Sequence, residues 1–246
     1  MPIAAAIDAS ARTVARLVPL ALLFAAGCNF ASSGLNNDGV RLYQQGNYPA
    51  ASNRFIQAVA SDPTHADGYY NLAATYHQMG KLHGGEDDLK QAESLYNQCL
   101  DRDPDHVECY RSLAVLLSET GRQDAAVRLL NGWSERSPAL AAPRIEMARL
   151  MEEQGDVQAA KKQLEEALVL EPQNSRGLAA LGRIREQLGE PEQALADYER
   201  SLAMNQFQPQ VAARVATLRA AVGHPTMMTP ATDTRLVADP ARLNRY

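Results

Sequence analysis

The sequence lacks most features that identify an enzyme, a nucleic-acid-binding protein or a membrane-spanning protein. Aromatic residues make up only 6% of its 246 residues, and the net charge of −5 argues against nucleic-acid binding through bulk positive charge. No apolar run approaches the roughly 20 residues of a spanning helix. Phosphate loops, nucleophile elbows and His-Glu-x-x-His motifs are absent from the sequence. We therefore expect neither an enzyme nor a small-molecule substrate.

Cysteine is also scarce, with three residues in the whole chain, Cys28, Cys99 and Cys109. They form no Cys-x-x-Cys pair and have no zinc-finger spacing, so we predict no metal site. Cys99 and Cys109 are ten residues apart. They could form a disulfide in an oxidising compartment, but we favour packing as two small apolar side chains.

What the sequence has in abundance is helix-forming residues arranged in a repeat. Ala occurs 41 times and Leu 29 times. Glycines recur at spacings of 34, 41, 34 and 34 residues, and prolines at 41, 34 and 34. Small residues and aromatic or leucine residues recur in the same phase. The glycines are Gly46, Gly80, Gly121, Gly155 and Gly189, and the prolines are Pro63, Pro104, Pro138 and Pro172.

These marks divide the chain into five repeats of two antiparallel helices each. Glycine is expected to end the first helix of each repeat and proline to mark the end of the second. One repeat cannot bury its apolar face alone, so neighbouring repeats must stack. The predicted repeats are 32–65, 66–106, 107–140, 141–174 and 175–208.

The pattern of large residue, Leu, Gly or Ala, Tyr, then Gly, Ala, aromatic, Ala and Pro resembles the tetratricopeptide repeat (TPR) family. The resemblance implies an all-α fold, a right-handed superhelical solenoid over 35–223. A more polar final segment, 209–223, is expected to form a capping helix. The proline-containing remainder, 224–246, is predicted to be a disordered tail, with a binding segment around Arg235 or Arg242 as the alternative.

Repeat two carries a seven-residue excess, which we place in the segment 81–90. Because Gly80 is expected to end the first helix, the segment should form a flexible loop containing Gly84 and Gly85. The acidic run Glu86-Asp87-Asp88 should then stand at the start of the second helix, where carboxylates complement the helix dipole. Calcium binding is the alternative, but the run lacks the spacing of a calcium loop.

The N-terminus has the organisation of a secretory signal peptide, predicted over 1–27. Arg12 and Arg16 precede an apolar run of about 10 residues. The following Ala25-Ala26-Gly27-Cys28 resembles the lipobox of bacterial lipoproteins. That resemblance implies a diacylglycerol and acyl lipid on Cys28, no other cofactor, and a short linker over 28–34. An ordinary signal peptide cut near Ala26, or a start codon assigned too early, is the alternative.

The lipoprotein resemblance also implies a place in the cell. We expect the chain in a bacterial envelope, anchored by lipid to the membrane. Asn29, rather than Asp, after the lipid-attachment cysteine favours the outer membrane, facing the periplasm.

In the TPR family the concave groove is lined by the first helix of each repeat, and protein partners bind there. The resemblance places a mixture of polar, aromatic and basic residues at the contact positions. Glutamates share this face, so many of the charges are expected to pair at i,i+3 or i,i+4. The expected contact residues are Asn36, Tyr70, Asn71, His77, Arg111, Arg149, Arg176 and Arg183.

The sequence therefore predicts a membrane-anchored scaffold that binds a protein partner. The combination of lipid anchor and repeats resembles pilus-assembly lipoproteins, including secretin pilotins. An adaptor that recruits or regulates a peptidoglycan hydrolase or protease is the alternative. An enzyme whose catalytic residues are hidden in the repeats is a third class, which no motif supports.

Overall fold

The computed structural model describes residues 32–222 of the chain. This part forms eleven helices and contains no strand, so the all-α prediction is confirmed. Helix α1 occupies 32–44. The others are α2 (Tyr48–Ser61), α3 (Ala66–His83), α4 (Glu86–Arg102), α5 (Val107–Glu119), α6 (Gln123–Arg136), α7 (Ala142–Glu153), α8 (Val157–Leu170), α9 (Ser175–Gln187), α10 (Pro191–Met204) and α11 (Pro209–Val222).

Three predicted features fall outside the described residues: the signal peptide (1–27), the lipid-attachment residue Cys28 and the tail (224–246). Residues 32–34, the end of the predicted linker, are helical and belong to α1. Among the described residues, no helix is both long enough and apolar enough to cross a bilayer.

The described residues divide into two compact units, one ending at Leu150 and the other beginning at Met151. The first contains α1 to α6 and most of α7. Its core is built on large side chains that the second helices present to the first. Trp133 of α6 stacks on Tyr110 of α5, with ring centroids 4.1 Å apart and planes 5° apart. The indole Nε1 of Trp133 donates to Asp105 Oδ1 at 2.8 Å, so the buried ring keeps a polar partner.

The second unit ends in α11, which packs on α10 through buried aliphatic and aromatic side chains. The residues of this cluster are Ala194, Leu195, Tyr198, Val215 and Leu218. Most other positions of α11 are exposed. A helix with one buried stripe and an otherwise exposed surface covers the apolar face of the last pair.

The residues that recur in each repeat have local structural roles. Fully buried alanines occur where the paired helices approach closely: Ala51, Ala92, Ala126, Ala160 and Ala194. Side-chain caps begin several helices, since Asn47 accepts from the Ala50 amide, Asp156 from the Ala159 amide and Asn174 from the Gly177 amide. A left-handed glycine follows the first helix of each of the five pairs.

Repeat two departs from the prediction at its insertion. Helix α3 does not end at Gly80 but continues to His83, and Gly84 provides the left-handed turn with a φ of 65°. The seven extra residues therefore lengthen α3 and α4 instead of forming a flexible loop. Gly80 serves packing, because a Cβ there would lie 2.7 Å from Leu89 Cδ2. The acidic run Glu86-Asp87-Asp88 does form the first turn of α4.

The favoured interpretation of the two cysteines was wrong. Cys99 of α4 and Cys109 of α5 form a disulfide between successive repeats, with Cα atoms 6.8 Å apart. The turn between the helices reverses the chain over only four residues, 103–106, and so brings the two positions together. Sequence spacing alone leaves this geometry undecided.

Candidate docking surface

The eight expected contact residues lie on the first helices of the repeats but differ in exposure. Arg176 and Arg183 are exposed, and His77 is buried. The others, Asn36, Tyr70, Asn71, Arg111 and Arg149, are partly buried. Contact with a partner stays a prediction for each of them.

Polar side chains join α1 to α3 in the first unit. The Asn71 side-chain amide donates to Asn36 Oδ1 at 3.0 Å. Tyr70, next to Asn71, packs against other rings, with its centroid 5.4 Å from that of His106 and 6.3 Å from that of Tyr96. The bond between the two asparagines therefore joins the first helices of repeats one and two.

His77 and Lys81 join α3 to α5 through one carboxylate. His77 Nε2 lies 2.9 Å from Glu119 Oε2, and Lys81 Nζ donates to Glu119 Oε1 at 2.6 Å. Burial works in the opposite direction, but the hydrogen bonds from Lys81 and His77 lower the pKa of Glu119. The other imidazole nitrogen, Nδ1, lies 3.4 Å from the Tyr96 hydroxyl. The imidazole of His77 is thus committed to contacts within the protein.

Arg111 joins α5 to α7 through Glu146, whose side chain is only 1% exposed. Arg111 Nε lies 3.1 Å from both carboxylate oxygens, and a second guanidinium nitrogen lies 2.7 Å from Oε1. Arg149 Nε donates to the same carboxylate at 3.3 Å. Two predicted contact residues therefore share the neutralisation of one buried charge.

The second unit has the same kind of contact between first helices. Glu152 accepts from Arg183 at 2.6 Å and from the side-chain amide of Gln187 at 2.7 Å. Further along, Arg214 of α11 pairs with Glu186 of α9, with its Nε 3.0 Å from Oε2. The hydroxyl of Tyr198 donates to Glu186 at 2.8 Å. Hydrogen bonding from Arg214, with a further bond from Tyr198, lowers the pKa of Glu186 against the opposing effect of burial.

Within each unit, the charged side chains of the first helices are therefore paired mainly between repeats. We expected pairing at i,i+3 or i,i+4, which describes Arg149 with Glu146 but not the other contacts. The partners are 28 to 42 residues apart in sequence. The sequence spacing could have indicated one of these pairs. Arg111 and Glu146 are separated by 35 residues, which is one repeat length plus one residue. No sequence pattern predicted Lys81, Gln187 and Arg214 as partners of these carboxylates.

The described residues also bring together three potential metal ligands, Cys99, His106 and Cys109, all buried. One ligand atom from each lies within 4.8 Å of the other two. The two cysteines are joined to each other, so their sulfurs are not thiolates in this structure.

Three family models match the chain, and all describe the same repeat. A "TPR repeat" model matches residues 39–80, and two "Tetratricopeptide repeat" models match residues 64–131 and 145–222. Together they cover most of the helices described above. A search of curated proteins gives no match.

Solved structures show the same fold. A thermophilic TPR protein from Thermus thermophilus has a TM-score of 0.57 and 23% identity, over 77% of this chain and 100% of that one. A TPR protein from Parabacteroides merdae has a TM-score of 0.57 and 17% identity, over 84% and 79%. Pseudomonas aeruginosa pilF has a TM-score of 0.51 and 18% identity, over 80% and 86%.

These matches agree with the helix pairs, with the left-handed glycine after each first helix and with the small residues between paired helices. Because the sequence identities are below 25%, these structures show a shared fold and no shared function. The chain belongs to the tetratricopeptide repeat family, and its repeats imply a scaffold for protein–protein interactions.

Proposed function

We propose that this chain is a lipid-anchored scaffold of a bacterial envelope that holds a protein partner close to the membrane. The tetratricopeptide fold is the observation that carries the scaffold role. The lipobox-like Ala25-Ala26-Gly27-Cys28 supports the anchor. Two or three acyl chains give stable membrane attachment, because each buried methylene contributes roughly 0.8 kcal/mol.

The position of α1 supports a short distance between anchor and scaffold. Helix α1 includes Ser32, four residues after Cys28. Four residues of fully extended chain span at most about 14 Å. The first repeats would therefore lie within reach of the membrane surface.

We further propose that the partner contacts the face formed by the first helices. In the second unit, Arg176 and Arg183 are the exposed basic residues of α9 among the predicted contacts. Arg183 pairs with Glu152 but remains 53% exposed, so its charge is accessible to a partner. An acidic or polar segment of the partner suits this surface.

For the pathway we propose pilus or secretin assembly. The combination of a lipobox-like segment and repeats, which resembles pilus-assembly lipoproteins, supports that proposal, whereas the likeness to Pseudomonas aeruginosa pilF is one of fold alone. Recruitment of a peptidoglycan hydrolase or protease would use the same anchor and the same fold, and the partner decides between them.

The anchor is tested by Cys28→Ser in the native cell. We expect the variant to lose labelling by a fatty-acid probe and to move from the membrane fraction to the soluble fraction. The matched control is Asn29→Ser, which keeps the cysteine. A variant that stays in the membrane without label would contradict lipid anchoring, whereas the scaffold role would be untouched.

The partner is tested by crosslinking native membranes and capturing the full-length protein, followed by mass spectrometry. Pilus or secretin components would support the proposed pathway, and a wall hydrolase or protease would replace it. Recovery of no specific protein, compared with cells that lack the chain, would contradict the scaffold proposal.

The docking face is tested with the captured partner and the pair Arg176→Glu with Arg183→Glu. We expect at least tenfold weaker binding with an unchanged helical signal. The control reverses two exposed charges on second helices, Arg128→Glu with Lys162→Glu, and should leave affinity within twofold. If both double variants lost the same affinity for the partner, the result would contradict an interface on the first helices of the second unit.

A further inference from the structure

The joint between repeats two and three carries chemistry that a docking scaffold does not need. Cys99 lies near the end of α4, His106 caps the start of α5 and Cys109 lies in its first turn. All three side chains are buried, and they bring two sulfurs and an imidazole within 4.8 Å of one another. Sulfur and imidazole are the ligands that Zn²⁺ prefers in proteins.

Hydrogen bonds fix the imidazole of His106 in the form that a metal requires. Its Nδ1 accepts from the Cys109 backbone amide at 3.2 Å and therefore carries no proton. Its Nε2, which holds the proton, donates to Asp67 Oδ1 at 2.9 Å. Histidines that bind metals commonly donate their other ring N–H to a carboxylate, which orients the ring and raises its basicity. Here the lone pair of Nδ1 is directed at the backbone amide of Cys109, one of the two cysteines of the joint.

The backbone leaves space for an ion between the sulfurs. The Cα atoms of Cys99 and Cys109 are 6.8 Å apart, at the upper end of the separations that disulfides span. Two thiolates bound tetrahedrally to one zinc ion at about 2.3 Å each are roughly 3.8 Å apart. Once the bond is reduced, rotation of the two side chains can give that separation without movement of the helices.

We propose that Cys99, Cys109 and His106 Nδ1 form a zinc site when the disulfide is reduced. An external dithiol supplies two electrons and two protons: its own sulfurs become a disulfide, and the Cys99–Cys109 bond becomes two thiols. Zn²⁺ then displaces the two thiol protons and binds both thiolates and His106 Nδ1, which releases the Cys109 amide. Water occupies the fourth position. The disulfide and the metal exclude each other at this joint.

The preceding joint provides a matched comparison inside the same chain. His65 stands where His106 stands, 41 residues earlier, but Ala58 and Gly68 occupy the positions of the two cysteines. His65 makes no capping hydrogen bond, and its Nε2 lies 3.9 Å from Asp67. The same turn with a histidine but no thiols should bind no zinc.

The test uses the full chain carrying Cys28→Ser, which removes the third thiol. It is prepared as the disulfide form and, without oxygen, after reduction by a phosphine that is then removed. Cobalt(II) serves as the spectroscopic probe, and zinc is titrated against a chromophoric chelator. We expect one ion per reduced chain, with thiolate-to-cobalt charge-transfer bands and tetrahedral d–d bands, and none for the disulfide form. Absence of these bands in the reduced chain would overturn the proposal.

Three variants distinguish zinc binding by all three ligands from zinc binding by the two thiols alone. His106→Asn keeps a capping residue and should weaken zinc binding at least tenfold. Asp67→Asn should weaken it about 10- to 100-fold, the usual effect of losing an orienting carboxylate. His65→Asn should bind as the parent does. Parent-like affinity in His106→Asn would overturn the proposal, as would loss of the helical signal on metal binding, which would place the ion on unfolded chain.

Discussion

At the scale of single residues, Glu146 shows how a solvent-facing pattern becomes a structural contact. Its position on α7 groups it with charged residues of the first-helix face, yet its carboxylate is 1% exposed. Arg111 approaches it from the preceding repeat and Arg149 from the next turn of its own helix. A buried carboxylate requires such partners, because charge without them is costly in an apolar environment.

We expect Arg111→Ala to destabilise the protein by about 1–3 kcal/mol, because Glu146 keeps Arg149 but loses its bidentate partner. The control is Arg183→Ala, which removes an exposed pair with Glu152 and should cost no more than about 1 kcal/mol. Urea unfolding followed by circular dichroism measures both midpoints. Equal shifts would mean that burial of Glu146 does not matter.

Glu186 predicts a dependence on pH. Its pKa is lowered in the folded state, chiefly by hydrogen bonding from Arg214, so its contribution to stability is complete above the unfolded pKa of about 4.3. The contribution is lost as the pH falls through the lower, folded pKa. The unfolding midpoint of the parent should exceed that of Glu186→Gln at pH 7, and the difference should shrink below about pH 4. A difference that is independent of pH would contradict this assignment.

At the scale of helices, close packing depends on where a side chain is missing. A Cβ on Gly39 of α1 would lie 2.5 Å from the Phe55 ring of α2, and one on Gly182 of α9 would lie 2.8 Å from the Tyr198 ring of α10. In each pair an aromatic ring of the second helix occupies the space that a glycine leaves on the first. Gly132, inside α6, has open space where its side chain would be.

Two alanine substitutions should therefore have opposite effects. Gly182→Ala should destabilise by about 1–3 kcal/mol, since the Tyr198 ring must move from a packed position. Gly132→Ala should stabilise by about 0.5–1 kcal/mol, because alanine is the better helix former and meets no neighbour. Thermal unfolding of the two variants shows whether each substitution raises or lowers stability. A destabilising Gly132→Ala would show that helix propensity does not decide that position.

At the scale of the whole molecule, stability comes from contacts between neighbouring repeats. The disulfide between α4 and α5 is a covalent addition to one of these interfaces. It closes a loop with a sequence separation of ten residues, which restricts the unfolded chain. In a stacked array, a change at one interface is felt most by the two repeats that form it.

Reduction of the disulfide, with metal removed by a chelator, should lower stability by about 2–3 kcal/mol. The chelator matters, since a metal bound to the reduced cysteines would offset the loss. Hydrogen exchange should report the change most strongly in α4 and α5 and less in the helices further along the first unit. Cys99→Ala with Cys109→Ala is the matched variant. Uniform loss of protection through the unit would contradict a nearest-neighbour description.

Much of the fold follows from the sequence, because it depends on local chemistry. Glycine at the end of a first helix, proline after a second and alanine between the two each act over a few residues. Their period of 34 is visible without structure, as are the cap at 209–223 and the acidic start of α4. The resemblance to tetratricopeptide repeats therefore identified the fold class and the surface on which partners are expected.

Tertiary structure decided the features that depend on distances between repeats. Whether Cys99 and Cys109 are bonded depends on how tightly the chain reverses at the four-residue turn. Helix α3 continues through Gly80 to His83, and Leu89 of α4 occupies the space that a side chain at Gly80 would need. Whether Arg111 faces solvent or Glu146 depends on the stacking of successive first helices. Periodicity predicts which residues share a face of a helix, but only the three-dimensional stacking of the repeats determines which residues that face contacts.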